Sequence, residues 1–108
     1  MFIIQHVNGA QEQVADVSVL PGLIVELALQ ADEEHPDVAV ILEDAWSVSI
    51  YSRSLVLENV ESSARPWNAK RPADQVLLDL LETFVGEGPE GVRSSVEWRQ
   101  GYPNSEGT

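Results

Sequence analysis

The first seven residues, MFIIQHV, are apolar and rich in β-branched side chains, and they run into Asn8-Gly9, a pair that favours a two-residue hairpin turn. Gln11 to Val17 is the expected returning strand. In SVLPGLIVELALQADEEHPD the period changes. Leu20, Leu23, Ile24, Leu27, Ala28 and Ala31 recur at helical spacing, Ser18 suits an N-cap and Pro21 fits a first turn. His35-Pro36 closes the segment, so the pattern predicts a helix over residues 19–33.

Three strands are expected next. DVAVILE (37–43) is apolar on both parities, as in a central strand, whereas AWSVSIY (45–51) sets Trp46, Val48 and Ile50 against Ser47, Ser49 and Tyr51. SLVLENVE (54–61) completes a meander joined by the short links Glu43-Asp44 and Ser52-Arg53. Residues 62–71 (SSARPWNAKR) read as a loop. From Pro72 a second helix is expected, with Val76, Leu77, Leu80, Leu81 and Phe84 as its apolar stripe and Gly86 and Gly88 as its stop. Ser94 to Trp98 reads as a last strand. Two amphipathic helices among clustered strands indicate an α+β fold, a mainly antiparallel sheet of five to six strands with both helices on one face. A single domain over 1–100 with a flexible tail at 101–108 follows.

Composition supports a folded chain: Leu, Ile, Val and Phe supply 32 of 108 residues, enough for one core despite a formal net charge of -12. That charge is uneven. Residues 1–52 hold nine carboxylates and no Lys or Arg, while residues 53–108 hold nine carboxylates and all six cations. Phosphate backbones are bound by Lys and Arg, so direct nucleic-acid binding and attraction to an anionic membrane are both disfavoured. Solubility alone is a sufficient reason for such a charge. The absence of Cys removes thiol nucleophiles, disulfides and Cys-ligated metals. No positively charged leader precedes an apolar run, and a cytoplasmic protein is expected.

The residue patterns carry little chemistry. His6 and His35 belong to no metal-ligand spacing, and no phosphate-cradling or nucleophile motif occurs, so no metal, cofactor or catalytic residue is assigned. Glu43, Asp44 and Glu58 can approach one another across the meander, but acid–base work needs a desolvated carboxyl group, and turn and edge positions are solvated. The acidic run Asp32, Glu33, Glu34 and Asp37 follows a helix at its negative dipole end, where carboxylates gain nothing locally. It suits a solvated turn or a patch that meets a basic partner. Trp46 reads as core. Trp67, near Arg65, Asn68 and Lys70, reads either as an interface anchor or as a cover for the sheet edge.

The stretch HPDVAVILEDAWSVSIYSRSLVLENVE, a loop, and AKRPADQVLLDLLETFVGEGPEGVRSSVEW together resemble the Imm-one type family of immunity proteins from bacterial polymorphic toxin systems. The resemblance covers residues 18–99 and lies in a strand meander, a linker, an amphipathic helix ending near a Gly-containing turn, and a terminal Val-Glu-Trp strand, with Trp46, Val96, Glu97 and Trp98 as matching positions. It implies a non-enzymatic inhibitor that binds a cognate toxin domain, prominently a nucleic-acid deaminase, and blocks its active site. Such a toxin holds a polyanion in a basic groove, which an acidic surface can occupy. The expected interface draws on Asp32, Glu33, Glu34, Asp37, Glu43, Asp44 and Trp67, with Ser47, Ser49 and Tyr51 as an alternative face. The rival expectation is a small α+β enzyme or ligand-binding domain with a pocket between sheet and helices, contacted by Glu58, Tyr51 or His6. A regulatory subunit or assembly factor is a third.

Overall fold

The computed structural model describes residues 1–62 and 64–102. Its seven strands are β1 (Phe2–Gln5), β2 (Gln11–Val14), β3 (Val38–Leu42), β4 (Trp46–Ile50), β5 (Ser54–Asn59), β6 (Trp67–Lys70) and β7 (Arg99–Gln100). They form one open antiparallel sheet in the order β2-β1-β3-β4-β5-β6-β7. Three helices accompany it: α1 (Leu20–Gln30), α2 (Asp74–Glu87) and the single turn α3 (Pro89–Val92). The α+β class stands, with seven strands where the sequence suggested five to six.

The pairing register sorts every strand residue onto one of two faces. Phe2, Ile4, Val38, Val40, Val48, Ile50, Leu55 and Leu57 point to the helices, where they meet Leu20, Leu23, Ile24 and Leu27 of α1, Leu77, Leu80, Leu81 and Phe84 of α2, and Val92 of α3. The other face carries Ile3, Ala39, Ile41, Ser47, Ser49, Val56, Glu58 and Asn68 by the same register. Val56 is nonetheless 1% exposed there. The segment after β7 helps to close that face: Gly101 donates its N–H to the Pro66 carbonyl, the Asn68 amide donates to the Gly101 carbonyl, and the Tyr102 hydroxyl donates to Glu58 Oε2 at 2.8 Å.

Several local expectations are corrected. The β1–β2 connection is a five-residue loop rather than a two-residue turn: Gly9 sits at φ 88°, and Asn8 Oδ1 accepts the Ala10 N–H. The β3–β4 turn needs a third residue, Ala45, in the left-handed region at φ 75°. Ser18 does not cap α1. Asp16 instead accepts the Ser18 N–H and caps a 3-10 turn at Val17–Val19 that runs straight into the helix. Pro72 lies before α2, which starts at Asp74, and α2 stops where Gly88 adopts φ 77°, ψ -165°, a conformation open essentially to glycine.

The assigned loop at 62–71 contains β6, whose Trp67 and Ala69 face the helices while Asn68 and Lys70 face away. Ser94 to Trp98 forms no strand. Pro89 opens α3, and the Trp98 indole folds back to donate to the Val92 carbonyl at 2.9 Å, holding the chain off the sheet until Arg99. Of the expected tail, Gly101 and Tyr102 are tied to the sheet by the bonds above, and 103–108 lie outside the described residues.

Candidate functional site

Strand order follows chain order apart from the exchange of β1 and β2, so the uneven charge of the sequence becomes a polarity in space. The cation-free half builds β2, β1, β3 and β4 with α1, and the six cations belong to the β5–β7 side and its connections.

The expected interface residues do not form one patch. Asp32, Glu33, Glu34 and Asp37 precede β3, and Glu43 and Asp44 follow it, separated by the length of a five-residue strand, about 17 Å. Within the first group, Asp32 is committed to the turn. Its Oδ1 accepts the N–H groups of His35 and Glu34 at 2.8 and 2.9 Å, and these bonds, His35 first, hold its carboxyl below the usual range. Glu33 and Glu34 are exposed. Asp37 is half-buried beside Tyr51; burial pushes its carboxyl up. At the far end Glu43 lies 3.8 Å from the Met1 ammonium. Trp67 stands on β6 opposite Leu57 and packs partly buried against the core, remote in the strand order from both acidic groups.

Tyr51 and Glu58 project from the helix-free face, not into a space between sheet and helices, which removes them from the pocket of the rival expectation. Burial raises the Tyr51 phenol, with the charges of Asp37 and Glu58 adding to it. The Tyr102 phenol is raised by its hydrogen bond to Glu58.

His6 forms a clamp. Nδ1 lies 2.8 Å from Glu26 Oε1 on α1 and Nε2 lies 3.1 Å from Glu12 Oε1 on β2, while Glu26 Oε2 accepts the Val7 N–H at 2.8 Å. When protonated, the imidazole donates to both carboxylates at once. The hydrogen bonds to Glu26 and then Glu12 hold the His6 pKa above 6.5. For Glu26, burial pushes upward, but the Val7 N–H and His6 outweigh it and the carboxyl lies below its ordinary value. Because the folded His6 value is raised, its contribution is fully present below pH 6.5 and fades as pH rises through the folded value. His6→Gln should therefore lower the thermal midpoint at pH 6 and have little effect at pH 9. An equal loss at both pH values would show that the charged clamp adds nothing.

Two concavities gather cationic side chains. One, of about 320 Å³, lies between β5–β6 and the segment after α3, lined by Leu57, Trp67, Arg93, Val96, Glu97 and Trp98. The other, of about 390 Å³, collects Ser52, Arg53, Lys70, Arg71, Pro72 and Ala73; there Arg71 is already engaged by the Tyr51 carbonyl and Asp74 Oδ1, both at 3.2 Å. Among the described residues no group of three or more His, Asp or Glu side chains converges as a metal-ligand set, and both His6 nitrogens face carboxylates. No helix among them is long and apolar enough to cross a membrane.

Comparison with known proteins produced no match to a family model, to a curated protein or to a solved structure.

Sequence reasoning missed the His6 clamp, whose partners lie six and 20 residues away and share no motif spacing. It also missed the outer side of α1, for which a signal existed: Val25 and Leu29 lie off the counted apolar stripe and are 55% and 78% exposed.

Proposed function

We propose that this protein is an inhibitor of the immunity type, one that binds a cognate toxin domain acting on nucleic acid and occupies its basic substrate groove. The observation that carries the reading is the segregation of charge along the sheet, with a half that has nine carboxylates and no Lys or Arg. A groove that holds phosphates attracts such a surface and orients it before contact. The meander β3–β5, the amphipathic α2 and the turn at Gly88 add the element order on which the resemblance to the Imm-one type family rests, although Val96-Glu97-Trp98 is not a strand. Inhibition of this kind needs an occluding surface and no catalytic group on the inhibitor.

Co-expression with the product of the neighbouring gene tests the reading. Restored growth and a co-purifying complex are expected. A neighbour verified as toxic that is neither bound nor neutralised would falsify cognate inhibition.

One observation favours a second reading, a small-ligand-binding domain: the concavity lined by Trp67, Trp98 and Arg93 offers two indoles to a ring compound beside a guanidinium that Glu90 holds at 3.3 Å. Saturable quenching of tryptophan fluorescence by such a compound, lost in Arg93→Ala, would select this reading.

A further inference from the structure

A surface helix ordinarily turns charged residues outward. α1, LPGLIVELALQ, contains one ionisable residue, Glu26, and that side chain turns back to His6 and the Val7 N–H. The exposed residues of α1 are Pro21, Gly22, Val25, Ala28 and Leu29, with the polar Gln30 at its last position. Pro21, Val25 and Leu29 are four residues apart and form one stripe along the helix.

Both ends of the stripe are acidic. At Pro21 it meets a concavity of about 230 Å³ between the 3-10 turn and α2, lined by apolar Val17, Leu20 and Leu78 with the carboxylates Asp16 and Glu82 beside them. Beyond Leu29 the helix ends at Gln30, and the turn that follows it carries the exposed Glu33 and Glu34. No Lys or Arg lines that concavity, and residues 1–52 contain none.

We propose that this stripe and its adjoining groove are the docking surface for a partner protein segment with apolar side chains at its centre and Lys or Arg on both flanks. The identity of the partner as a toxin rests on the inhibitor reading above. Complementarity of charge selects this occupant. A second copy would bring two acidic surfaces together, its own cations lying on the other half of the sheet, and an anionic membrane would be repelled. Apolar contacts at the stripe supply affinity and the acidic ends orient the encounter.

The test uses Val25→Gln with Leu29→Gln, which keeps helix propensity and removes the apolar stripe. The probes are an 18-residue amphipathic helix of leucine and lysine and a serine–lysine peptide of equal charge. Expected are backbone-amide shifts confined to residues 17–34 and 75–82, binding of the leucine–lysine probe weakened about tenfold in the double variant, and much weaker binding of the serine–lysine peptide to the parent protein. Shifts elsewhere with the stripe silent, or equal binding of both peptides, would overturn the proposal. The toxic neighbour provides the separate arm. If it binds the parent protein and the double variant equally, the inhibitor reading stands and the docking surface fails; if it binds neither while the peptide still maps to the stripe, the surface stands and the reading fails.

Discussion

Replacing Phe84 by alanine should lower the free energy of unfolding by about 3–5 kcal/mol, the largest loss expected from a single truncation here. Phe84 is fully buried on α2, on the same side as Leu77, Leu80 and Leu81, and its ring belongs to the one core between helices and sheet. A domain of this size is stable by about 5–15 kcal/mol, so the variant would lie close to the unfolding threshold. Urea unfolding should show a lower midpoint with an unchanged slope, the signature of lost stability rather than an altered denatured state. Leu29→Ala is the internal control: Leu29 is 78% exposed, and its truncation should change stability by less than about 0.5 kcal/mol. A Phe84→Ala loss below about 1 kcal/mol would mean that α2 is not docked on the sheet through this ring.

Phe84 also marks where local pattern was sufficient. It belongs to a helix whose apolar residues recur at one period and whose end is punctuated by glycine, so neighbours in sequence settle its burial. The meander was legible for the same reason, since Val48 and Ile50 alternate with Ser47 and Ser49. β6 was not. Trp67-Asn68-Ala69-Lys70 alternates too, but over four residues, next to Pro66 and among cations, and its strand state is fixed by pairing with Leu55 and Leu57 far back in the chain. The segment Ser94 to Trp98 fails in the opposite sense. Its composition suits a strand, yet the Trp98 indole finds the Val92 carbonyl and the chain turns back over α3. Among the expected interface residues, the strand read at 37–43 already implied a gap between Glu34 and Glu43, and the fold gives that gap its size, the length of the five-residue β3. Asp32 had looked like one more surface charge, and the two N–H groups it accepts make it a turn-former.

That division makes location separable from net charge. The double reversals Glu33→Lys with Glu34→Lys and Glu43→Lys with Asp44→Lys each replace two negative charges by two positive ones, so each moves the formal charge from -12 by four units to -8. Under the inhibitor reading proposed above, a general field effect would slow association with a basic toxin equally in both. If the partner docks on α1, whose stripe ends at Glu33 and Glu34, the first reversal places cations where the partner's own cations arrive. Association at low salt should then fall about tenfold for that variant and by less than about threefold for the other, within the range over which electrostatic steering acts. Raising ionic strength to about 1 M shrinks the screening length to about 3 Å and should bring all three proteins to a common rate. Stopped-flow association with the purified toxin domain measures the difference. All four positions are exposed, so neither variant should lose its fold; Asp44 accepts the Trp46 N–H only at 3.4 Å. Equal slowing of the two variants would reduce the acidic half to a diffuse field, and greater slowing by Glu43→Lys with Asp44→Lys would move the contact to the opposite end of β3.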